Sequence, residues 1–234
     1  MDTNGLALAP DQIREAADRL EVATPEAVLA WALQTFGAGM SLASSFGAED
    51  MCLVHMLCGL TDAPRVFYLD TGLLFPETYR LIEETRARYG LRPIRLTPLF
   101  TVEEQAETLG PALWSRAPDH CCGIRKVEPL AHFLRGEKAW ITGIRREQTP
   151  ARAHARVVEA DPKFGLVKIN PLVRWTNQDV WNYIHAHQIP YNPLHDRGYP
   201  SIGCWPCTSA VKAGEDPRSG RWKHFTKTEC GLHQ

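Results

Sequence analysis

Met40-Ser41-Leu42-Ala43-Ser44-Ser45-Phe46-Gly47-Ala48-Glu49-Asp50-Met51-Cys52-Leu53-Val54-His55-Met56-Leu57-Cys58-Gly59-Leu60 is the stretch on which the fold turns. Met40 to Ser44 is a short apolar run that reads as a buried strand. Ser45-Phe46-Gly47 end it, and a helical pattern follows from Ala48 to Leu60. The alternation then repeats. Arg65–Leu69 predicts a second strand, Pro76 opens a helix to about Tyr89, Arg92–Leu96 predicts a third strand and Ala139–Gly143 a fourth. Strands alternating with helices of this length build an α/β fold with a doubly wound, mainly parallel sheet. Such sheets take ligands beyond the carboxyl ends of their strands.

Upstream, two amphipathic helices are expected, Asp11–Leu20 and one from Pro25 to about Phe36 with Thr24 as its N-cap. After Ile144 the pattern loosens, to a short strand at Leu166–Asn170 and a helix at Asn177–His187. From Pro190 onward Pro, Gly, Asn and charges predict an irregular tail that wraps the domain. The expected organisation is a single domain: helices in 1–37, the α/β core in 38–189, a loop-rich tail in 190–234.

The 234 residues are 44% apolar, which excludes a disordered or collagen-like chain. No run approaches the roughly 18 apolar residues of a membrane span, and the first residues lack the pattern of a secretory signal. A cytoplasmic protein is therefore expected, with no membrane partner. Charge is uneven: residues 1–120 hold nine Lys/Arg against 17 Asp/Glu, and residues 121–234 hold 17 against ten. The near-neutral total argues against nucleic-acid binding, while the basic second half suits a small anion as well as a solvated surface.

Seven cysteines fall into three groups. Cys52 and Cys58 lie in the apolar helix and read as core. Cys121-Cys122 and Cys204-Trp205-Pro206-Cys207 form two close pairs, which in a reducing compartment point to a metal site. Thiolate-rich sites select zinc or iron–sulfur clusters. Adjacent cysteines chelate one small ion awkwardly, whereas separate irons accept neighbouring sulfurs, so a cluster is favoured over zinc. Cys230 stands alone in the polar Thr228-Glu229-Cys230-Gly231-Leu232-His233 segment, near Lys223 and Lys227. Neighbouring cations favour the nucleophilic thiolate; an ordinary surface thiol is the other reading.

Three further motifs carry candidate chemistry. Ser44–Asp50 sits between strand and helix, where small residues and free N–H groups suit an anion. Leu69-Asp70-Thr71-Gly72 ends the second strand and reads equally as a nucleotide contact or a capped turn. Lys126, Arg145-Arg146, Arg218 and Arg221 are bases of the kind that fork onto phosphate or sulfate.

Together SSFGAED, YLDTGLLFPETY, CCGIRKVEPL, WITGIRREQTPAR, NPLHDRGYPSIGCWPCT and ECGLH resemble the assimilatory adenylyl-sulfate (APS) reductase branch of the phosphoadenylyl-sulfate (PAPS) reductase family. The first motif is similar to the pyrophosphate loop of the adenine-nucleotide α-hydrolase fold, with Phe46 in place of a Gly and Asp50 in place of a Ser. The resemblance implies thioredoxin-dependent reduction of APS to sulfite and AMP in sulfate assimilation, with PAPS or dual specificity as the alternative. It also implies a [4Fe-4S] cluster on Cys121, Cys122, Cys204 and Cys207, and a nucleophile at Cys230. Ser44, Asp50, Leu69, Thr71 and Gly143 are then expected to line the adenosine pocket. Lys126, Arg218, Arg221 and His233 are expected around the phosphosulfate, with Arg145 and Arg146 nearby. No thioredoxin-like segment follows the motifs, so an external thioredoxin is implied; homo-oligomerisation is left open.

Overall fold

The computed structural model describes residues 6–223, 225–227 and 229–232. Helix α1 (Pro10–Leu20) buries Ile13, Ala16, Ala17 and Leu20, a three-to-four spacing that marks one apolar stripe. Helix α2 (Pro25–Phe36) begins where the Thr24 hydroxyl accepts the Ala27 amide. Then follow β1 (Met40–Ala43), α3 (Ala48–Leu60), β2 (Val66–Leu69), α4 (Pro76–Tyr89) and β3 (Ile94–Leu96). Helix α5 (Val102–Leu109) leads to a helical stretch made of α6 (Pro118–Cys122), a π-helical turn (Gly123–Val127) and α7 (Glu128–Leu134). Strands β4 (Ala139–Ile141), β5 (Val158–Asp161) and β6 (Leu166–Ile169) and helix α8 (Asn177–Ala186) complete the core.

The six strands lie in the order β3-β2-β1-β4-β6-β5. All neighbours are parallel except β5, which pairs antiparallel with β6. The chain starts in the middle at β1, runs outward to β3, and returns to β4 on the other side of β1. Strand order therefore reverses between β1 and β4, and the loops after them part to leave a crevice.

Alternate strand residues feed two apolar layers, as a period of two requires. Met40, Leu42, Val66, Ala139, Ile141, Val167 and Ile169 join the layer beneath α1 to α4 and α8. Phe67, Trp140 and Leu166 point the other way, to Leu130 and Leu134 of α7. A sheet covered on both faces is the doubly wound arrangement that the alternation predicted.

Three elements depart from the sequence reading. Strand β5 falls in the stretch after Ile144 where the sequence pattern loosens and assigns no element; its Glu159 and Ala160 are not buried, so its apolar signal is weak, and it is held as one arm of a hairpin turned at Gly165 (φ +71°). Helix α5 carries a capping box, Thr101 with Glu104, that would have located it. The stretch from Pro118 to Leu134 was read for its cysteines rather than as helix.

Candidate active site

At the end of β1 the turn folds around one carboxylate. Asp50 Oδ2 accepts the Ser45 amide at 2.5 Å and the Ser45 hydroxyl at 2.7 Å, while Ser44 Oγ accepts the Phe46 amide at 3.1 Å. Amides at a strand-to-helix turn are an anion site; here one of them already holds an anion supplied by the chain. Burial pushes the Asp50 carboxyl up to about 6, against the two Ser45 bonds that favour its charge. Phe46 adopts φ +58° and is buried edge-on to Tyr68, with ring centres 5.6 Å apart. Across the crevice, a Cβ on Gly143 would stand 2.4 Å from Asp50 Oδ1, so the end of β4 approaches α3 this closely only as glycine.

After β2, Asp70 is fully buried and accepts the Gly72 amide at 2.9 Å, the Tyr79 hydroxyl at 2.7 Å and Arg95 Nε at 2.7 Å. Its carboxylate is the capped turn, not a ligand contact. Thr71 Oγ1 accepts the Leu73 amide and lies 3.3 Å from Cys204 Sγ. The loop is zipped to the tail where Trp205 donates to the Leu73 carbonyl at 2.8 Å.

The two cysteine pairs meet here. Cys121, Cys122, Cys204 and Cys207 line one narrow cleft with Leu73, Trp114, Pro118, Arg125, Lys126 and Trp222. The π-helical turn swings Arg125 and Lys126 towards the sulfurs directly after the adjacent pair, a placement typical of π turns at functional sites. Arg125 is buried and donates to the Thr71 carbonyl at 2.5 Å and to Gln105 Oε1 at 3.1 Å. Burial pushes the Cys121 thiol up to about 11 and the Cys207 thiol up to about 12. Burial alone would pull the Lys126 ammonium down; the Cys204 and Cys230 sulfurs reverse this, and its net direction is up. Among the described residues no group of three or more His, Cys, Asp and Glu is arranged to hold a single metal ion. The donor set nonetheless suits a sulfur-ligated group: four thiols converge on one cleft, burial pushes those of Cys121, Cys122 and Cys207 up so that they ionise readily only against a positive partner, and two cations already stand beside them.

One cavity of about 1190 Å³ runs from the crevice to the tail. Ser44, Asp50, Leu69, Thr71, Lys126, Gly143, Arg145, Arg146, Arg218, Arg221 and Cys230 all line it. His233 lies outside the described residues.

Residues 39–210 match the profile of the phosphoadenosine phosphosulfate reductase domain. The chain belongs to this family. A protein from Halalkalibacterium halodurans named adenosine 5'-phosphosulfate reductase is 47% identical over 223 residues, 95% of this chain and 96% of that one. One from Gloeobacter violaceus named phosphoadenosine 5'-phosphosulfate reductase is also 47% identical, over 99% of this chain and 98% of its own. The crystal structure of the Candida auris PAPS reductase, a phosphate complex, superposes with TM-score 0.77 at 32% identity, over 87% of this chain and 98% of that one. Candida glabrata FMN adenylyltransferase, at 18% identity, TM-score 0.60 and coverage of 94% of this chain and 77% of that one, shares the fold.

Within this reductase fold the arginines are not equivalent. Arg145 is buried and spends its donors on Glu49 and Glu147, both at 2.9 Å, and on the Trp175 carbonyl. Arg146 forks onto Glu21 at 2.6 and 3.1 Å, tying the residue after α1 to the loop after β4. Arg221 stacks 4.5 Å over Trp222 and donates to Ser201 Oγ, and its buried Nε has no hydrogen-bond partner among the described residues. Four lining or supporting residues were not singled out from sequence: Glu49, Arg125, Arg152 and Glu229. All four lie inside quoted motifs, but each acts through partners from distant segments, which no local pattern carries.

Proposed function

We propose that this chain reduces APS to sulfite and AMP with a thioredoxin as reductant, through a thiosulfonate on Cys230. The observation that carries the reading is the meeting, in one cavity, of Cys230 with Lys126, Arg218, Arg221 and the loops after β1, β2 and β4. A nucleotide seated at the switch point, near Ser44, Leu69, Thr71 and Gly143, directs its phosphosulfate towards these bases. The Cys230 thiolate attacks the sulfur of the sulfuryl group; an S–S bond forms, the S–O bond to the phosphate breaks, and AMP leaves with the electron pair. A thioredoxin thiolate then attacks Cys230 Sγ; a mixed disulfide forms, the S–S bond to the sulfonyl group breaks, sulfite leaves with the pair of that bond, and the second thioredoxin thiol resolves the mixed disulfide, so the two electrons come from the dithiol. The bases hold the anion and offset charge as AMP departs; His233 joins them as an expectation from the family motif. Asp50 fills part of the turn where a nucleotide triphosphate would otherwise rest, which weighs against ATP-cleaving chemistry.

Cys121, Cys122, Cys204 and Cys207 are the residues that would hold a [4Fe-4S] cluster, which would supply fixed charge and tie the tail loop to the core. Arg145 and Arg146, committed to carboxylates, shape the wall rather than bind the anion. Sulfite release from APS and from PAPS with thioredoxin tests the reading. Turnover of APS, its loss in Cys230→Ser, and a sulfonate adduct on the Cys230 peptide after APS alone are expected. Release from PAPS only would transfer the reading to that substrate, and an adduct on another cysteine would overturn the assigned nucleophile.

A further inference from the structure

Glu229 is among the most buried acids of the described chain, 4% exposed, and it directly precedes Cys230. Its Oε2 accepts Arg152 Nη2 at 2.8 Å and Arg218 Nη2 at 3.3 Å, and its Oε1 accepts the Thr149 hydroxyl at 3.3 Å. Thr149 and Arg152 belong to the loop after β4, so one carboxylate joins that loop to two points of the tail. On the other side of Cys230, the Gly231 carbonyl accepts Lys163 and Leu232 packs on the Phe67–Trp140 layer. Cys230 is thus suspended between two anchors that both border the cavity, and the Glu229 anchor is the one that holds arginines, Arg152 and Arg218.

We propose that Glu229 is a positioning residue that couples recognition of an oxyanion to placement of the Cys230 sulfur. One carboxylate against two guanidiniums leaves the group with a net positive charge, so the site still attracts an anion. Among the described residues Arg152 Nε is buried without a hydrogen-bond partner, while its Nη atoms are held by Glu229 and by Gln148 Oε1 at 2.5 Å. The carboxylate therefore aims the guanidinium and leaves one edge of it for ligand oxygen. Because Glu229 and Cys230 are adjacent in the chain, the contact that orients the arginines also fixes the sulfur relative to them. A misplacement of this kind costs turnover before it costs binding.

This inference rests on the proposed reductase reading for its kinetic arm only. The first measurement needs no substrate: alkylation of Cys230 by iodoacetamide in the nucleotide-free protein, followed on the Cys230 peptide by mass spectrometry. Glu229→Gln should raise that rate several-fold, and Thr149→Val, which changes no charge and removes a single bond, should raise it about two-fold. In turnover, Glu229→Gln should lower kcat ten-fold or more while KM for the nucleotide stays level or falls, since the arginines lose a competing anion. Glu229→Asp should recover part of kcat. Unchanged alkylation in both Gln and Val variants, or a rise in KM with kcat intact, would overturn the proposal. Should Glu229→Gln fail to fold, the Asp and Val variants decide by the same two readouts. If alkylation responds as stated and neither APS nor PAPS yields sulfite, the reductase reading fails and the positioning role stands.

Discussion

Cys52 and Cys58 of α3 and the four cysteines between α6 and the tail are the same side chain in two settings. Burial raises the thiol in both places, to about 11 for Cys58 and for Cys121 alike. Desolvation therefore does not separate them. Company does. Cys52 sits in the main apolar layer with its sulfur 3.8 Å from the Val180 carbonyl, while the four tail-side cysteines gather sulfurs from segments some eighty residues apart around Arg125 and Lys126. Buried thiols in apolar surroundings are inert packing; thiols that converge beside cations have the composition of a thiolate site, the role proposed for them.

Replacing Cys122 by Ser should have the largest effect, removing iron and acid-labile sulfide together from anaerobically purified protein. Stoichiometric zinc without sulfide in the wild type would break the contrast at its root. Next comes Arg125→Met, which strips donors from the buried Thr71 carbonyl and Gln105 Oε1. Urea unfolding should show a loss of about 3–5 kcal/mol, in the range for breaking a buried charged network.

A smaller effect tests burial against company in the crevice. Asp50 is raised from 3.8 to about 6, so the folded state binds a proton more tightly than the unfolded state. Its contribution is fully present below pH 4 and is lost as pH rises through about 6. Relative to Asp50→Asn, the wild type should therefore lose about 1–3 kcal/mol of stability between pH 4 and pH 7.5. A difference that does not vary with pH would mean that the Ser45 bonds cancel desolvation, and one that grows with pH would mean that they outweigh it. Least of all should change in Cys58→Ala: a half-buried thiol packed on the core, worth under about 1 kcal/mol, with iron content unaltered.

Much of the fold was open to sequence reading because its signals are local. The strand–turn–helix of 40–60 was legible in apolar periodicity, and α3 spans Ala48–Leu60 as read. Strand β5 was not, because its weak burial pattern is stabilised by hairpin pairing with β6. The odd terminal cysteine and the two pairs stood out by spacing alone.

What the sequence determined by itself was therefore the alternating pattern, the residue types of the site and their order along the chain, since periodicity and motif chemistry are properties of neighbours. Only the tertiary structure decided which charges remain available. It gave Arg145 to Glu49 and Glu147 and Arg146 to Glu21, while Arg152 and Arg218 share the single carboxylate of Glu229 and keep a net positive charge. It also put Asp50 into the turn of its own helix and Asp70 under Tyr79 and Arg95. The reason is physical: an ion pair depends on distance in space and on the water removed between its partners, and neither quantity is written in the separation of residues along a chain.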